Sequence, residues 1–246
     1  MEVHAHAHTE RKKWTHYLWE FLMLFLAVFC GFFAEYQLEH KIEKERGREY
    51  AISFREDLCK DTAILNTNII GFQRNIAAAD SIVHMIAQRR VQIKEDIKKL
   101  YEYNIPALGG FAVILTDRTA AQLKNSGGMR LITRKKVVEG IISYWSNMAS
   151  CARIEEMLQT MRMQAREKSY LFFDQQYYAD SSVNGKRAIA DDAALMTKDN
   201  LLLTEFANRL SHVKNLMKGT YTTFLKKQKT EADTLMMLID KEYHLK

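Results

Sequence analysis

The sequence predicts an all-α fold: an N-terminal transmembrane helix followed by an elongated antiparallel helical bundle with long, coiled-coil-like helices. Three observations predict it. One apolar run near the N-terminus is long enough, with its flanks, to cross a bilayer. Apolar residues then recur at alternating spacings of three and four through most of the remaining chain. A single Pro and ten Gly among 246 residues leave few helix breakers and argue against disorder, collagen-like structure and a turn-rich all-β fold. The chain accommodates one anchor and one soluble domain of roughly 200 residues. The expected division is a flexible His-containing tail at 1–13, a transmembrane helix at 14–38 and a helical soluble domain at 39–246.

The run FLMLFLAVFCGFFA at 21–34 is too short alone, but Tyr17 to Leu38 spans about 30 Å as a helix. Trp14, Tyr17, Trp19 and Tyr36 suit the two interfaces, where Glu20 and Glu35 are also tolerated. A buried core helix is the competing reading, disfavoured because the segment has no polar stripe. Arg11, Lys12 and Lys13 resemble the basic start of a secretory signal. The charged helical stretch that follows and the absence of a small-x-small site favour an uncleaved signal-anchor. Phe29 before Cys30 does not suit a lipoprotein signal. The expected location is the inner (cytoplasmic) membrane, single-pass, with the main domain periplasmic. Lys41, Lys44, Arg46, Arg48 and Arg55 after the run weaken the positive-inside argument for that orientation.

Beyond Leu38, mixed charge without Pro predicts that the membrane helix continues outward as a rigid stalk. Leu65, Ile69, Phe72, Ile76, Ala79, Val83, Ile86, Arg90, Ile93, Ile97 and Leu100 then form a heptad-like seam and predict one long helix, packed on other helices or on a second copy. Arg90, the lone charge in the seam, is expected to snorkel or to pair with a carboxylate. YEYNIPALGG, with Pro106, Gly109 and Gly110, predicts a break. Thr116 and Thr133 are candidate caps for a short helix over DRTAAQLK and for a longer one from about 134 to about 178. DSSVNGKR at 180–187 reads as a surface turn, and a last long helix starts near Asp199 with Leu203, Phe206, Leu210, Val213, Met217 and Phe224 on one face.

Candidate chemistry is sparse. His4, His6 and His8 lie close enough to compete for a transition metal, but no cysteine or carboxylate completes a site, so neither metal nor cofactor is assigned. The carboxylates at 56–57, 61, 155–156 and 191–192 fall on charged helical faces and are expected to be solvated or paired. KNSGGMR lacks the ending of a phosphate loop and reads as a helix-terminating turn. Cys30, Cys59 and Cys151 make no disulfide framework, with a Cys59–Cys151 pair left open. From Arg89 to Glu139 there are eleven Lys/Arg against five Asp/Glu. A fold-back at 101–110 would gather much of that excess at one end, as an interaction surface of Arg90, Lys98, Lys99, Arg130, Arg134, Lys135 and Lys136. Its alternative is a basic end that is merely solvated. The aromatic cluster YLFFDQQYY at 170–178 reads as core or as partner surface.

Three stretches together resemble an uncharacterised family of small single-pass membrane proteins common in Bacteroidota. They are the aromatic lead into the membrane run with Glu20, YAISFREDLCKDT at 50–62, and AAQLKNSGGMRLITRKKVVEGIISYW at 120–145. Leu123, Lys124, Ser126, Gly127, Leu131, Ile132, Ile141 and Tyr144 match the family's central signature; Gly128, Met129 and Trp145 depart from it. The resemblance implies an N-terminal anchor with a helical domain, and no catalytic residues. Read physically, Ser126 and Gly127 turn the chain, with Gly127 at positive φ, while Leu123, Leu131 and Ile132 bury the corner.

The functional expectation is a membrane-anchored helical interaction or scaffold module, with a protein partner or a second copy bound through the seam. The alternative is an envelope ligand sensor or binding protein without intrinsic catalysis. No nucleic-acid recognition motif is present, so no specific nucleic acid is predicted.

Overall fold

In the computed structural model the described residues are 13–110, 112–183 and 186–245. The chain runs up, down, up and down. Helix α1 (Trp14–Ala87) is a single 74-residue element, about 110 Å long at 1.5 Å per residue. Its residues from 14 to 42 are all exposed, and burial begins in earnest at Gly47, Ala51 and Phe54. The stalk expected beyond the apolar run is therefore continuous with it. Phe21, Phe25, Phe29 and Phe33 stack successively along one ridge of the exposed part, as i,i+4 rings do.

The heptad seam is not one helix. Helix α1 ends at Ala87, and α2 (Lys94–Leu108) returns along it. Arg89 takes φ 55°, its N–H donates to the Ile86 carbonyl and the Arg90 N–H to the Met85 carbonyl. That is the Schellman closure, here with arginine where glycine is usual, so no local glycine or proline announced the turn. Arg90 then clamps the reversal through a bidentate pair with the buried Asp96, at 2.8 and 2.7 Å. Leu65, Ile69, Phe72, Ala79, Ile97 and Leu100 are buried as the periodicity required, but across two helices; Ile93, in the turn, is exposed.

The expected break at Pro106 comes later, since α2 continues to Leu108 and Gly109 stops it. Proline loses only one hydrogen bond in this last turn. Next come α3 (Arg118–Asn125), a short 3₁₀ turn at Gly128–Leu131 and α4 (Lys135–Ser169). Helix α4 ends well before 178, because Phe172 and Phe173 turn into the core. Neither Thr116 nor Thr133 caps a helix through its side chain. The fold is not purely α: the stretch 180–187 expected as a surface turn contributes, among the described residues, to two antiparallel strands, β1 (Tyr178–Val183) and β2 (Lys186–Ile189), Val183 paired with Lys186. Two facing strands satisfy backbone groups that a bare turn would leave to solvent.

Asp199 caps α5 (Asn200–Asn215) by accepting from the N–H groups of Leu201 and Leu202. A π-helical turn (Leu216–Tyr221) links it to α6 (Thr222–Tyr243) without a loop. The extra residue in that turn keeps Met217, Tyr221 and Leu225, three successive positions at spacing four, on the buried face. Phe224, expected there, is only partly buried. Helices α5 and α6 descend beside α1, tied by Lys214 to Asp80 at 2.6 Å near the top and by Arg55 to Asp240 near the bottom. Two apolar clusters result. One surrounds Leu65, Phe72, Tyr101, Phe206 and Tyr221; the other, nearer the exposed part of α1, holds Phe54, Leu58, Leu123, Ile141, Leu235 and Ile239.

Candidate functional site

The lower cluster is built around the corner at residues 123–132. Leu123 and Ile132 are buried, and Leu131 is half-buried. The Ser126 hydroxyl donates to the Gln122 carbonyl at 2.7 Å and accepts from the Gly128 N–H at 3.2 Å. Gly127 takes φ 65°, the left-handed conformation expected of it. Lys124 lies over the Trp145 ring, 5.0 Å from its centroid. The corner packs directly on α1: a Cβ on Gly47 would stand 2.0 Å from the Leu131 carbonyl oxygen.

Two carboxylates of α1 hold the segment before this corner. Asp57, 3% exposed, accepts from the Thr119 N–H at 3.1 Å, from the Thr119 hydroxyl, and from Arg118 at 3.0 Å. It caps α3 from another helix, which is why no side chain within α3 does so. Asp61, 1% exposed, accepts from the Thr116 N–H and the Tyr144 hydroxyl, both at 2.7 Å. Burial raises its pKa above the usual aspartate range, and these two donors pull it back. Burial likewise raises the Tyr144 hydroxyl. Of the two expectations for these acids, solvated or paired, Asp57 is paired with Arg118, whereas Asp61 is neither solvated nor ion-paired but hydrogen-bonded. Both are buried because they belong to the core face, where Phe54, Leu58, Asp61 and Leu65 follow one heptad phase. That interruption of an apolar stripe was the available signal. Glu155 is buried as well, accepting from Gln159 at 2.7 Å, whereas Glu56, Glu156, Asp191 and Asp192 are exposed.

Below the corner lies a cleft of about 640 Å³. Its walls are His40, Glu43 and Lys44 from α1, and Arg130, Leu131, Thr133 and Arg134 from the segment entering α4. It sits where α1 passes from its wholly exposed part into the bundle. Three cations face one carboxylate there. Glu43 lies 3.8 Å from His40, and Arg134 lies 3.6 Å from Glu242 at the end of α6. Both pairs are long, and among the described residues no ion pair involves Lys44 or Arg130. Arg130 and Arg134 are exposed, as are Lys135 and Lys136 one turn further on.

The seven residues expected to form one basic surface are thus divided. Arg130, Arg134, Lys135 and Lys136 stand at the level of Gly47, while Arg90, Lys98 and Lys99 stand at the far tip, some 60 Å away along α1. The division follows from the position of the reversal, at 88–93 rather than at 101–110. Arg90 is committed to Asp96, and Lys98 reaches Asp191 at 2.7 Å. His40 and Lys44 complete the lower group and were not expected in it, because the alternating charges of 39–49 cancel locally.

The upper cluster carries its own buried polar groups. Arg162, 1% exposed, lies over the Phe72 ring at 5.0 Å and directs Nη2 to the Met217 sulfur at 3.3 Å; burial lowers its pKa. Burial pushes the Cys151 thiol up to about 11. Within 170–178, Phe172, Phe173 and Tyr178 are core, so that cluster is chiefly structural; Tyr170 and Leu171 remain exposed. A smaller cleft of about 150 Å³ lies beside Asn104, Arg166 and Tyr178. All three cysteines are free, which closes the Cys59–Cys151 pairing left open. Among the described residues no three His, Cys, Asp or Glu side chains gather to hold a metal, and His4, His6 and His8 lie outside the described residues.

No protein-family model matches the chain, and no curated protein or solved structure matches it. The family resemblance therefore stands on the quoted residues alone. One long apolar N-terminal helix, consistent with a membrane anchor, carries a helical bundle.

Proposed function

We propose that the chain is a single-pass, membrane-anchored helical interaction module, held in the inner (cytoplasmic) membrane with its bundle on the periplasmic side. The observation that carries this reading is the form of α1: fully exposed and apolar through about Leu38, then built into the core without a break. A helix that leaves so much apolar surface uncovered fits hydrocarbon rather than water. Continuity makes the bundle's height above the bilayer a fixed property of the chain. The module is read as non-catalytic, its buried acids being engaged in capping and hydrogen bonding. The heptad seam is filled by the chain's own helices, so a protein partner or second copy would use another face, such as the exposed Ile142, Met157 and Met163 of α4.

The basic cleft favours a second reading, a binding protein that takes an anionic ligand at the base of the bundle. The test of the first is made on the full chain in native membranes. Resistance to alkaline carbonate extraction, together with one discrete adduct from a photo-crosslinking residue at 142, 157 or 163, is the expected result. Extraction by carbonate sinks the anchor, and a smear or no adduct from all three positions sinks the interaction role.

A further inference from the structure

We infer that the cleft between α1 and the 130–134 segment binds the phosphate of an anionic phospholipid of the bilayer in which the chain is anchored. The inference rests on the anchor reading above. With Leu38 at the edge of the hydrocarbon, His40 lies about 3 Å and Lys44 about 9 Å further along the helix axis. The headgroup layer is itself about 5–8 Å deep on each side of the hydrocarbon core. Measured along the continuous α1, Lys44 of the cleft lies at the outer edge of that layer and the arginines, at the level of Gly47 about 14 Å from Leu38, lie just outside it, so their long side chains approach the phosphates from the aqueous side.

Its chemistry suits that layer. Lys44 from α1 and Arg130 from the facing segment make no ion pair among the described residues, and Arg134 has only the long contact to Glu242 at 3.6 Å. Arginine presents a planar fork to two phosphate oxygens at once, and lysine adds a compact charge. Thr133, exposed on the same wall, adds a hydroxyl donor. Lys135 and Lys136 extend the positive field beyond the cleft, while Glu43 opposes it and is half-buried beside His40. The backbone holding the arginines is fixed, because the Leu131 carbonyl packs on Gly47 and Ile132 is buried. A positioned pair of guanidiniums selects a phosphate monoanion over a zwitterionic headgroup, whose own cation is repelled.

The experiment uses the full chain purified in a neutral detergent, with equimolar phosphatidylglycerol and phosphatidylcholine and native mass spectrometry to count retained lipids. Wild type is expected to retain phosphatidylglycerol about tenfold over phosphatidylcholine, the scale of one or two basic residues at a membrane surface. Arg130→Gln with Arg134→Gln is expected to reduce that ratio to near one, and Arg130→Lys with Arg134→Lys to keep part of it. Lys98→Gln with Lys99→Gln removes the same charge at the far tip and is expected to leave the ratio unchanged. If the first variant melts early, Lys44→Gln reads the same cleft from α1. Equal retention of both lipids by wild type overturns the inference, as does an equal loss from the distal variant. Full displacement of phosphatidylglycerol by millimolar inorganic phosphate also overturns it, and assigns the cleft to a soluble anion. Carbonate extraction of the same chain separates the two levels: a soluble chain removes the anchor and this inference together, whereas an inserted chain without lipid preference removes the inference alone.

Discussion

Gly47 and Gly71 stand on the same helix and should answer the same substitution with opposite signs. At Gly47 a methyl group would meet backbone, the Leu131 oxygen at 2.0 Å and its carbon at 2.7 Å, so the corner must move away. Gly47→Ala is expected to cost about 2 kcal/mol, the overpacking penalty outweighing the gain in helix propensity. A Cβ at Gly71 meets nothing within 4 Å, and Gly71→Ala is expected to stabilise by up to about 1 kcal/mol. Thermal melts of the two variants against wild type check both signs. Asp61 makes a different prediction, about pH. Its folded-state pKa is raised by burial, so the folded chain holds the proton to higher pH than the unfolded one. The stabilisation from that extra proton is present at low pH and is lost as pH rises through the folded-state pKa. Asp61→Asn, which cannot ionise, is therefore expected to gain on wild type as pH rises from about 4 towards neutrality. A difference in melting temperature that stays flat or shrinks over that range would show that Asp61 ionises in the fold as easily as in the unfolded chain.

At the scale of elements, the reversal between α1 and α2 shows how a strong pattern can mislead. Apolar positions at three and four continue through the turn, and both helices bury them, so periodicity alone joins the two. The turn is made by Arg89 in the left-handed region and by the Arg90–Asp96 clamp, neither of which has the composition of a helix stop. A non-glycine residue in that conformation is strained by roughly 1–2 kcal/mol. Arg89→Gly is accordingly expected to stabilise the chain by about 1 kcal/mol, read as a higher urea midpoint at unchanged slope. A lower midpoint would mean that the arginine side chain contributes more than its backbone costs. The corner at 126–128 was legible by contrast, because glycine at Gly127 carries its own conformational signal.

For the whole molecule, cysteine exposure turns orientation into a single measurement. Cys59 is exposed on α1 beyond the stalk, whereas Cys151 is buried and its thiol is pushed up to about 11. In intact cells opened only at the outer membrane, an impermeant thiol reagent is expected to label Cys59 and to reach Cys151 only after denaturation. Protection of Cys59 there, with labelling in inverted vesicles, would place the bundle in the cytosol and reverse the proposed orientation.

Composition, the apolar run and the three-and-four periodicity were enough to establish a helical chain with one exposed, bilayer-length segment, the stalk beyond it, the glycine corner and the start of the last helical stretch near Asp199. Each of these depends on residues a few positions apart, whose preferences act before any distant contact forms. The Asp57 cap on α3, the buried place of Asp61, the separation of Arg130 and Arg134 from Lys98 and Lys99, and the cleft itself depend on which segments meet. Residues 40–44 and 130–134 are neighbours only because α4 starts beside Gly47. Partnership across such a separation is chosen by packing of the assembled core, where carbonyl, methyl and charge must share one space, and no local pattern in either segment encodes it.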